Sequence, residues 1–510
     1  MKKFRNIIAL LLAAVLVFSL CACGNSATDN SSDTDTVNEQ TEDTVDSAES
    51  SSDNESSGHG DAPGTSPDGN GGPGGTPPDG NGGPGGTPPD GQGGPGGQGG
   101  PGGSSSDIDY SGAVEITSAE TQSGKSYTST ISDESALLIS TSDEVTITDP
   151  TVTKSGDSDG GDNCNFYGLN AAVLIKDGST TTITGGTVTS DADGANGIFS
   201  YGGNDGQNGA DGDGTTVIIR DTTITTTGNG SGGIMTTGGG VTKAYDLNVT
   251  TSGQSSAAIR TDRGGGLVYV DGGSYTSNGL GSPAIYSTAE IHVANATLIS
   301  NLSEGVCIEG LNSIELTDCN LTANNTKCNG NATFLDTIMI YQSMSGDADS
   351  GTSSFTMTGG SLTSRNGHVF HVTNTSAVIT LSGVSITNED SDNILLSVCD
   401  DGWSGGSNEA VLNAAKQSLS GAILVGSNST LTMNLSDGSS FEGYIDGKIT
   451  NASGTTVSTE VGTVSVTLDG GSTWTLTGDS YVTEFNGSAA NVISNGYTLY
   501  VNGVALTGTK

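Results

Sequence analysis

The sequence predicts an all-β fold, a single-stranded right-handed parallel β-helix (a solenoid), preceded by a disordered N-terminal stalk. Three observations predict it: a short strand motif that repeats along the chain, apolar residues that alternate with period two inside that motif, and 81 glycines among 510 residues of which only 32% are hydrophobic. Short strands stacked turn upon turn bury one narrow, continuous core. A chain with few large apolar residues can therefore still fold.

The first 23 residues have the layout of a lipoprotein signal peptide. A positive cluster at residues 2–5 precedes an apolar run at residues 7–18, which is typical of a secretory signal and too short for a dependable membrane span. Residues 20–23 (Leu-Cys-Ala-Cys) resemble a bacterial lipobox, in which Cys23 is acylated. We expect a lipid anchor on the extracellular face of the cell membrane, with a plain secretory signal as the alternative.

Two low-complexity segments follow the signal. Residues 24–61 are acidic and Ser/Asp-rich, and residues 62–106 are Gly/Pro-rich with a recurring Thr-Pro-Pro-Asp-Gly unit. Neither segment has enough apolar surface to offset its ordering entropy, so we expect a disordered linker followed by a semi-extended stalk. Residues 107–510 then form the β-helix domain, with C-terminal capping turns from about residue 419.

The repeat that predicts the solenoid consists of two alternating apolar residues, an Asp or small residue, two turn-tolerant residues, one apolar residue and usually Thr. It describes one strand, a corner and a second short strand, and a third short apolar strand follows in most repeats. The base period is about 23–26 residues, whereas a β-propeller or a stack of sandwiches, the structural alternatives, needs hairpin turns that are scarce here. The last apolar position of each copy is occupied by Val152, Val188, Ile224, Val249, Tyr275, Leu298, Leu321, Leu362 and Ile386.

Some repeats are longer than the base period, which indicates insertions that form loops on one face of the solenoid. Four stand out, at residues 155–166, 202–214, 323–335 and 399–416. The first two are acidic and Gly-rich, and carboxylates on flexible backbone suit Ca²⁺, although solvated turns are the alternative. The predicted calcium ligands are Asp157, Asp159, Asp162, Asp205, Asp211 and Asp213.

The charge balance excludes two classes of partner. With 15 Lys and Arg against 57 Asp and Glu, the formal net charge is −42, so nucleic acid and anionic lipid are repelled.

The cysteines beyond the signal have no metal-ligand or disulfide spacing and are expected to be buried apolar residues in a monomer. They are Cys164, Cys307, Cys319, Cys328 and Cys399.

Two kinds of side chain suggest chemistry. Exposed aromatic rings stack on sugar faces, and the candidates for a glycan-binding site are Tyr201, Tyr245, Tyr269 and Trp403. A uronate lyase needs instead a basic residue beside carboxylates, for which the candidates are Arg260, Asp262, Arg263, Asp400 and Asp401. A surface salt bridge or a capped turn is the simpler explanation of the second set.

Cys23, the Gly-Gly-Pro-Gly-Gly stalk and Thr/Gly-rich segments such as residues 357–362 (Met-Thr-Gly-Gly-Ser-Leu) together resemble a known group of proteins. These are the carbohydrate-binding, pectate-lyase-like right-handed parallel β-helix lipoproteins of anaerobic Gram-positive bacteria, some of them adhesin-like. The resemblance is architectural and covers residues 107–510. It implies bound calcium and affinity for cellulose or pectin-like glycans, but the basic catalytic signature of the lyases has no clear match.

We therefore expect a non-catalytic cell-surface protein that binds polysaccharide. A calcium-dependent pectate-type lyase is the first alternative, and a structural spacer or protein-binding adhesin is the second. The fold alone does not choose among them.

Overall fold

A computed structural model describes residues 108–206 and 211–510, and in this part the chain is a parallel β-helix. The predicted signal, Cys23 and the stalk lie outside the described residues. The described part contains no helix that is both long enough and apolar enough to cross a membrane. Strands that are neighbours in a sheet are one whole coil apart in sequence, which confirms the predicted fold class.

Three long sheets run along the helix axis, and their strands appear in chain order. Sheet 1 has 14 strands: Glu120–Ser123, Glu144–Thr148, Thr180–Thr184, Thr216–Arg220, Gly240–Tyr245, Gly266–Asp271, Glu290–Ala294, Ser313–Thr317, Thr352–Thr358, Thr375–Ser382, Asn408–Ala415, Ser429–Ser436, Thr463–Leu468 and Glu484–Asn486. Sheet 2 has 10 strands: Ser126–Ser129, Thr151–Lys154, Thr187–Ser190, Thr223–Thr226, Asn248–Thr251, Ser274–Ser277, Thr297–Ser300, Asn320–Ala323, Ser361–Ser364 and Ser385–Asn388. Sheet 3 has 13 strands: Glu115–Ile116, Leu137–Ser140, Val173–Lys176, Ile198–Tyr201, Ile234–Thr237, Ile259–Thr261, Ile285–Ser287, Val306–Glu309, Asp336–Tyr341, His368–Thr373, Ile394–Val398, Ala422–Val425 and Ile445–Asp446.

Smaller elements complete the described chain. A four-stranded sheet takes over from sheet 2 near the C-terminal end, and the coils continue beyond residue 419 before antiparallel pairs appear. One short α-helix, Asp162–Tyr167, lies in the first predicted insertion, and a 3-10 helix spans Ala489–Asn491. The remaining strands are Ser111–Gly112, Glu134–Ser135, Ser418–Ser420, Ser440–Gly443, Ile449–Thr450, Thr456–Ser458, Thr473–Leu476, Ser480–Val482, Val492–Ile493, Leu499–Val501 and Val504–Ala505.

The repeat positions stack in one column of sheet 2. Val152 pairs with Val188, Val188 with Ile224, and the column continues in register through Tyr275 to Ile386. Because a parallel ladder keeps equivalent residues side by side, the apolar residue of every coil faces the same core. The predicted repeat is confirmed residue by residue.

A left-handed residue forms the corner between sheets 1 and 2. Asp149, Asp221 and Asp246 have φ of 49°, 52° and 53°, and Gly occupies this corner in several other coils. Asp, Asn and Gly tolerate positive φ better than other residues, which explains the Asp or small residue at this position of the motif. A Cβ on Gly186 would lie 2.1 Å from the Pro150 carbonyl oxygen of the neighbouring coil, so this corner also requires close backbone approach.

The outer faces of the sheets differ in burial. Strands of sheet 1 alternate between buried and partly exposed residues, as in Gly240–Tyr245, whereas all four residues of the sheet 3 strand Ile198–Tyr201 are buried. The insertions flank sheet 3 and cover its outer face. As predicted, the cysteines beyond the signal are buried, except that Cys328 is partly buried.

Candidate functional site

The outer face of sheet 1 carries two tyrosines on neighbouring strands. Val268 and Val270 point into the core, so the period-two alternation directs Tyr269 outward, and Ala244 likewise directs Tyr245 outward. Tyr269 pairs with the residue two positions before Tyr245, so the two tyrosines are diagonal neighbours with backbones about 8 Å apart. We call the surface formed by Arg220, Lys243, Tyr245, Tyr269 and His292 the tyrosine platform.

Neighbouring side chains hold both tyrosine rings in place. The Tyr269 ring stacks on the His292 ring with centroids 5.0 Å apart and planes inclined by 15°. The Arg220 guanidinium lies 3.9 Å from the centroid of the Tyr245 ring. Because these contacts restrict the rings before any ligand arrives, little side-chain entropy remains to be lost on binding.

Charged groups of both signs surround the rings. His292 Nε2 lies 2.6 Å from Glu290 Oε1, and His292 Nδ1 lies 3.0 Å from Glu315 Oε2. Carboxylates only accept hydrogen bonds, so both contacts are hydrogen bonds only when the imidazole carries two protons. The platform thus combines fixed aromatic faces with hydrogen-bonding groups at their edges, which is the combination that binds sugar rings.

A shallow groove runs beside the platform because the side chains become short in the next coils. Ala294 and Thr317 continue the row that begins with Arg220, Tyr245 and Asp271. These short side chains lie at the bottom of the groove. A chain-like ligand lying in it would contact several consecutive coils.

Two of the four predicted glycan-binding residues are not on an exposed surface. Tyr201 is 2% exposed and its hydroxyl donates to Asp205 Oδ1 at 2.6 Å, and Trp403 is 6% exposed. The prediction that these rings are exposed is wrong, because both lie on or above the outer face of sheet 3, which the insertions cover. Only Tyr245 and Tyr269 reach the tyrosine platform.

The basic residues considered for a lyase are engaged in ion pairs. Arg260 Nη2 lies 2.7 Å from Asp262 Oδ2, and Arg263 Nη2 lies 2.6 Å from Asp347 Oδ1. The Arg260–Asp262 pair is buried, so the expectation of a surface salt bridge is also wrong. Burial raises the pKa of Asp262 to about 7, although the neighbouring Arg260 opposes that rise. This pair lies on the covered face of sheet 3 and has no open access to a polymer.

The two neighbouring aspartates have separate partners. Asp400 Oδ1 accepts from Asn408 Nδ2 at 2.5 Å, whereas Asp401 Oδ1 accepts from the Thr333 backbone N–H at 2.8 Å and from its hydroxyl at 2.6 Å. Asp401 Oδ2 lies 3.3 Å from His371 Nε2 with both side chains buried. The structure thus does not bring the five lyase candidates together around one exposed point.

The six aspartates predicted as calcium ligands fall into two groups: Asp205, Asp211 and Asp213 line one open pocket, whereas Asp157, Asp159 and Asp162 lie in the first insertion. Asp157 Oδ1 accepts from the Asp193 backbone N–H at 2.9 Å, and Asp213 Oδ1 accepts from the Thr215 backbone N–H at 2.9 Å. Partial desolvation raises the pKa of Asp162. No group of three or more His, Cys, Asp or Glu side chains within residues 108–206 and 211–510 gathers as metal ligands do. Calcium binding at these aspartates stays a prediction.

Sequence reasoning missed several acidic residues that are buried on sheet 3. Glu304, Glu309 and Asp336 are at most 5% exposed, and burial raises the pKa of Glu304 and raises that of Asp336 well above its ordinary value. A signal was present, because Glu309 and Asp336 belong to apolar runs without alternation. Such runs are typical of strands buried on both faces.

Two histidines of sheet 3 contact the same serine. Nδ1 of His368 and Nδ1 of His371 each lie 2.7 Å from Ser397 Oγ. All three side chains are buried, and the Phe334 ring packs against both imidazoles. This arrangement attaches the insertion that carries Phe334 to sheet 3.

Strongly exposed tyrosines are few among the described residues. Three tyrosines of the described residues are more than a third exposed: Tyr269, and near the C-terminal end Tyr481 and Tyr497. A scan against protein-family models, a search of curated proteins and a search of solved structures each find no match for this chain. The geometry of the platform is therefore the main guide to function.

Proposed function

We propose that this protein is a cell-surface lipoprotein that binds polysaccharide on the tyrosine platform without cleaving it. The observation that carries the proposal is Tyr269, which is 40% exposed and stacked on His292 beside Tyr245 on an uncovered sheet. Sugar rings have an apolar C–H face and a hydroxyl edge, and the platform offers a fixed partner for each. The lipobox at residues 20–23 supports attachment to the membrane.

The shape of the platform favours an extended polymer over a small ligand. Its residues and the adjoining groove span five consecutive strands of sheet 1, from Thr216–Arg220 to Ser313–Thr317. Strands in a sheet are about 4.8 Å apart, so the surface is about 19 Å long. Several consecutive sugar rings can lie along it.

The charges favour a neutral polysaccharide such as cellulose over an acidic one. A chain of net charge −42 repels polyuronate at long range, and Glu290 and Glu315 add negative charge beside His292. Arg220 and Lys243 provide hydrogen-bond donors on the opposite side of the rings. Binding of pectin-like glycans would need a cation to bridge the like charges.

The ion pairs of the basic lyase candidates support binding without cleavage. Proton abstraction requires the base to come within hydrogen-bond reach of the substrate. Arg260 is 2% exposed and paired with Asp262, so it does not offer such a base to a polymer.

The test is a pull-down of the full-length chain with insoluble cellulose and with polygalacturonate, each with and without EDTA. Absorbance of unsaturated uronides is followed in the same samples. We expect cellulose to retain the protein with and without EDTA, and absorbance to stay flat.

Tyr245→Ala/Tyr269→Ala is expected to weaken retention about tenfold or more, because both stacking surfaces are removed. Tyr481→Ala is the matched control, since Tyr481 is also an exposed tyrosine stacked on a neighbour, Tyr500 at 5.2 Å, but lies far along the chain from the platform. Rising absorbance would replace the proposal with a lyase. Absence of retention on both polymers would favour the spacer or adhesin.

A further inference from the structure

The outer face of sheet 2 carries two columns of short side chains. In each of its ten strands the second and fourth residues are buried, apart from the partly exposed pair in the terminal strand Ser385–Asn388, so the first and third residues point outward. The strands pair in register without a shift, so equivalent residues of successive coils lie side by side.

We call the face formed by these two columns the threonine array. The first column is Ser126, Thr151, Thr187, Thr223, Asn248, Ser274, Thr297, Asn320, Ser361 and Ser385, and the second is Thr128, Thr153, Thr189, Thr225, Thr250, Thr276, Ile299, Thr322, Thr363 and Thr387.

The composition of the threonine array is uniform. It has no charged and no aromatic side chain, although the whole chain has a formal net charge of −42. Nine of the ten positions in the second column are Thr, and the tenth is Ile299, which is also β-branched. Because β-branched side chains are restricted at χ1, their methyl and hydroxyl groups have few positions to choose from. The array therefore repeats the same fixed groups from coil to coil.

The threonine array is open to solvent. Thr151, Thr153, Thr187 and Thr189 are exposed, and most outward residues of the later coils are partly exposed, because each lies between two similar neighbours. Among the described residues, the Thr189 hydroxyl is the only one of the second column that donates to protein, to the Val152 carbonyl oxygen at 3.0 Å. The other hydroxyls of that column remain available to water.

The spacing of the array resembles that of a crystal of water. Neighbouring strands lie about 4.8 Å apart, and outward residues of one strand lie about 6.6 Å apart. Oxygen atoms on the prism face of ice repeat at about 4.5 Å in one direction and about 7.4 Å in the other, within about a tenth of these sheet spacings. The difference of about 0.3 Å per strand reaches half a lattice repeat only after about seven strands. Most of the array, which is about 43 Å long, therefore stays in step with the lattice.

Each threonine can order water in two ways. Water beside an apolar group is restricted in its orientation, and a water that bridges polar groups is bound nearly as well as a direct hydrogen-bond partner. The methyl groups order the water between the columns, and the hydroxyl groups fix its position. Single contacts of this kind are weak, so adsorption depends on their regular repetition over many coils.

Other occupants find less on this face. Sugar rings stack on aromatic side chains, and the array has none. Protein interfaces have an apolar core with aromatic or Arg anchors, whereas Ile299 is the only outward side chain here that is purely apolar. Ions and nucleic acid require charge, which is also absent. A neutral crystalline surface requires only regular spacing, and this favours ice.

We propose that the threonine array adsorbs to the prism face of ice and slows the growth of the crystal. This activity is separate from the proposed function, because polysaccharide would bind on sheet 1 and ice on sheet 2. Either one can fail without the other.

The test uses the full-length chain and ice itself. Recrystallisation of small ice crystals in frozen buffer is followed by microscopy, and adsorption is followed on a single ice crystal with the chain labelled on lysine amines. No lysine projects from the threonine array. We expect the chain to keep the crystals small at micromolar concentration and the label to collect on prism planes.

Three variants locate the activity. Thr250→Lys puts a long charged side chain in the middle of the array and should raise the concentration needed at least about tenfold, because it holds the lattice out of contact range. Thr182→Lys is the matched control on the outer face of sheet 1, outside the tyrosine platform, and should change nothing. Thr250→Val keeps the branched shape and should stay within about twofold of the unchanged chain. Unaltered thermal unfolding of each variant shows that the effect is local.

Three outcomes would overturn the proposal. They are crystal growth no slower than with an unrelated protein at the same concentration, equal effects of Thr250→Lys and Thr182→Lys, and a dimer of the chain that Thr250→Lys dissociates while ice growth is unaffected. The last would identify the array as a contact between two copies. Cellulose retention is measured on the same variants and should be unchanged by Thr250→Lys, so failure of the tyrosine platform and failure of the threonine array give different results.

Discussion

Sheet 1 and sheet 3 belong to the same coils but differ on their outer faces. On sheet 1 the outward side chains meet solvent, and Tyr269 is 40% exposed. On sheet 3 the equivalent side chains are covered by insertions, and an ion pair such as Arg260–Asp262 is buried. The strands themselves have similar lengths and the same parallel pairing.

The difference shows that the burial around a strand, not the strand itself, decides how much a charged side chain contributes to stability. A charge pair at a solvent-exposed surface contributes little to stability, whereas a buried charge that loses its partner is strongly destabilising. We therefore expect stability to depend on the covered face and ligand binding to use the open one.

The largest effect is expected on the covered face. Arg260→Met would leave the Asp262 carboxyl, which is 1% exposed, buried without its cation. Loss of one member of a buried pair costs about 3–5 kcal/mol of the free energy of unfolding. Urea denaturation of the variant and the unchanged chain at pH 8 measures this difference.

The pH dependence of that loss provides a check. Because burial raises the pKa of Asp262 to about 7 in the folded chain, the folded state holds this proton at pH 5, where an unfolded Asp has lost it. The cost of Arg260→Met should therefore be smaller at pH 5 than at pH 8. Lys176→Ala, in the more exposed pair with Asp177, is the control and should cost less than about 1 kcal/mol. Equal losses of unfolding free energy in Arg260→Met and Lys176→Ala would contradict the difference between the covered and the open face.

The second-largest effect is expected when the pH is lowered. Burial, aided by His371 and opposed by Asp390 and Asp401, lowers the pKa of His368 to about 3. The unfolded chain takes up this proton near pH 6.5, so the stability that neutral His368 contributes is lost as the pH falls from 6.5 towards 3. Between pH 6.5 and pH 4 this amounts to about 3 kcal/mol.

His368→Gln should remove this part of the acid sensitivity, seen as a flatter plot of unfolding free energy against pH. His292→Gln, on the open face of sheet 1, is the matched control and should change the plot much less, because ion pairs of exposed groups contribute little. Parallel plots for His368→Gln and the unchanged chain would show that His368 does not carry the effect.

The smallest effect is expected on the open face. Glu315→Gln removes one of the two carboxylate contacts of His292, and the Glu315 side chain is 51% exposed. We expect a change of at most about 0.5 kcal/mol at neutral pH, which added salt reduces further. Asp347→Asn, which weakens the mostly buried pair with Arg263, should cost clearly more in the same urea titration. A larger loss of unfolding free energy for Glu315→Gln than for Asp347→Asn would contradict the difference between the two faces.

The fold was predictable because its determinants are local. Period-two alternation indicates which residues face the core, and a residue that tolerates positive φ, such as Asp149 or Asp221, marks the corner after a sheet 1 strand. The same alternation directs Tyr245 and Tyr269 outward on sheet 1, where nothing covers them. For the tyrosine platform, sequence pattern and exposure therefore agree.

The covered face was not predictable in the same way. The long repeat between Leu321 and Leu362 contains two insertions, residues 324–335 and 342–351, of which only the first was recognised, because the length of a repeat does not reveal how its extra residues are divided. The burial of Tyr201 and Trp403 depends on where such insertions pack. That packing involves contacts between residues far apart in sequence, as between Thr333 and Asp401.

The insertions over sheet 3 also have a mechanical consequence. In a bare solenoid each coil contacts only its neighbours, so a load along the axis can peel off one coil at a time. Here Asn165 is tied to Arg260, which lies three strands further along sheet 3, and Thr237 donates to the Phe166 carbonyl oxygen at 2.6 Å. Because these hydrogen bonds join coils that are not neighbours, a force on one coil is shared by several others. We therefore expect the linked coils to unfold together, in one step, when the chain is stretched.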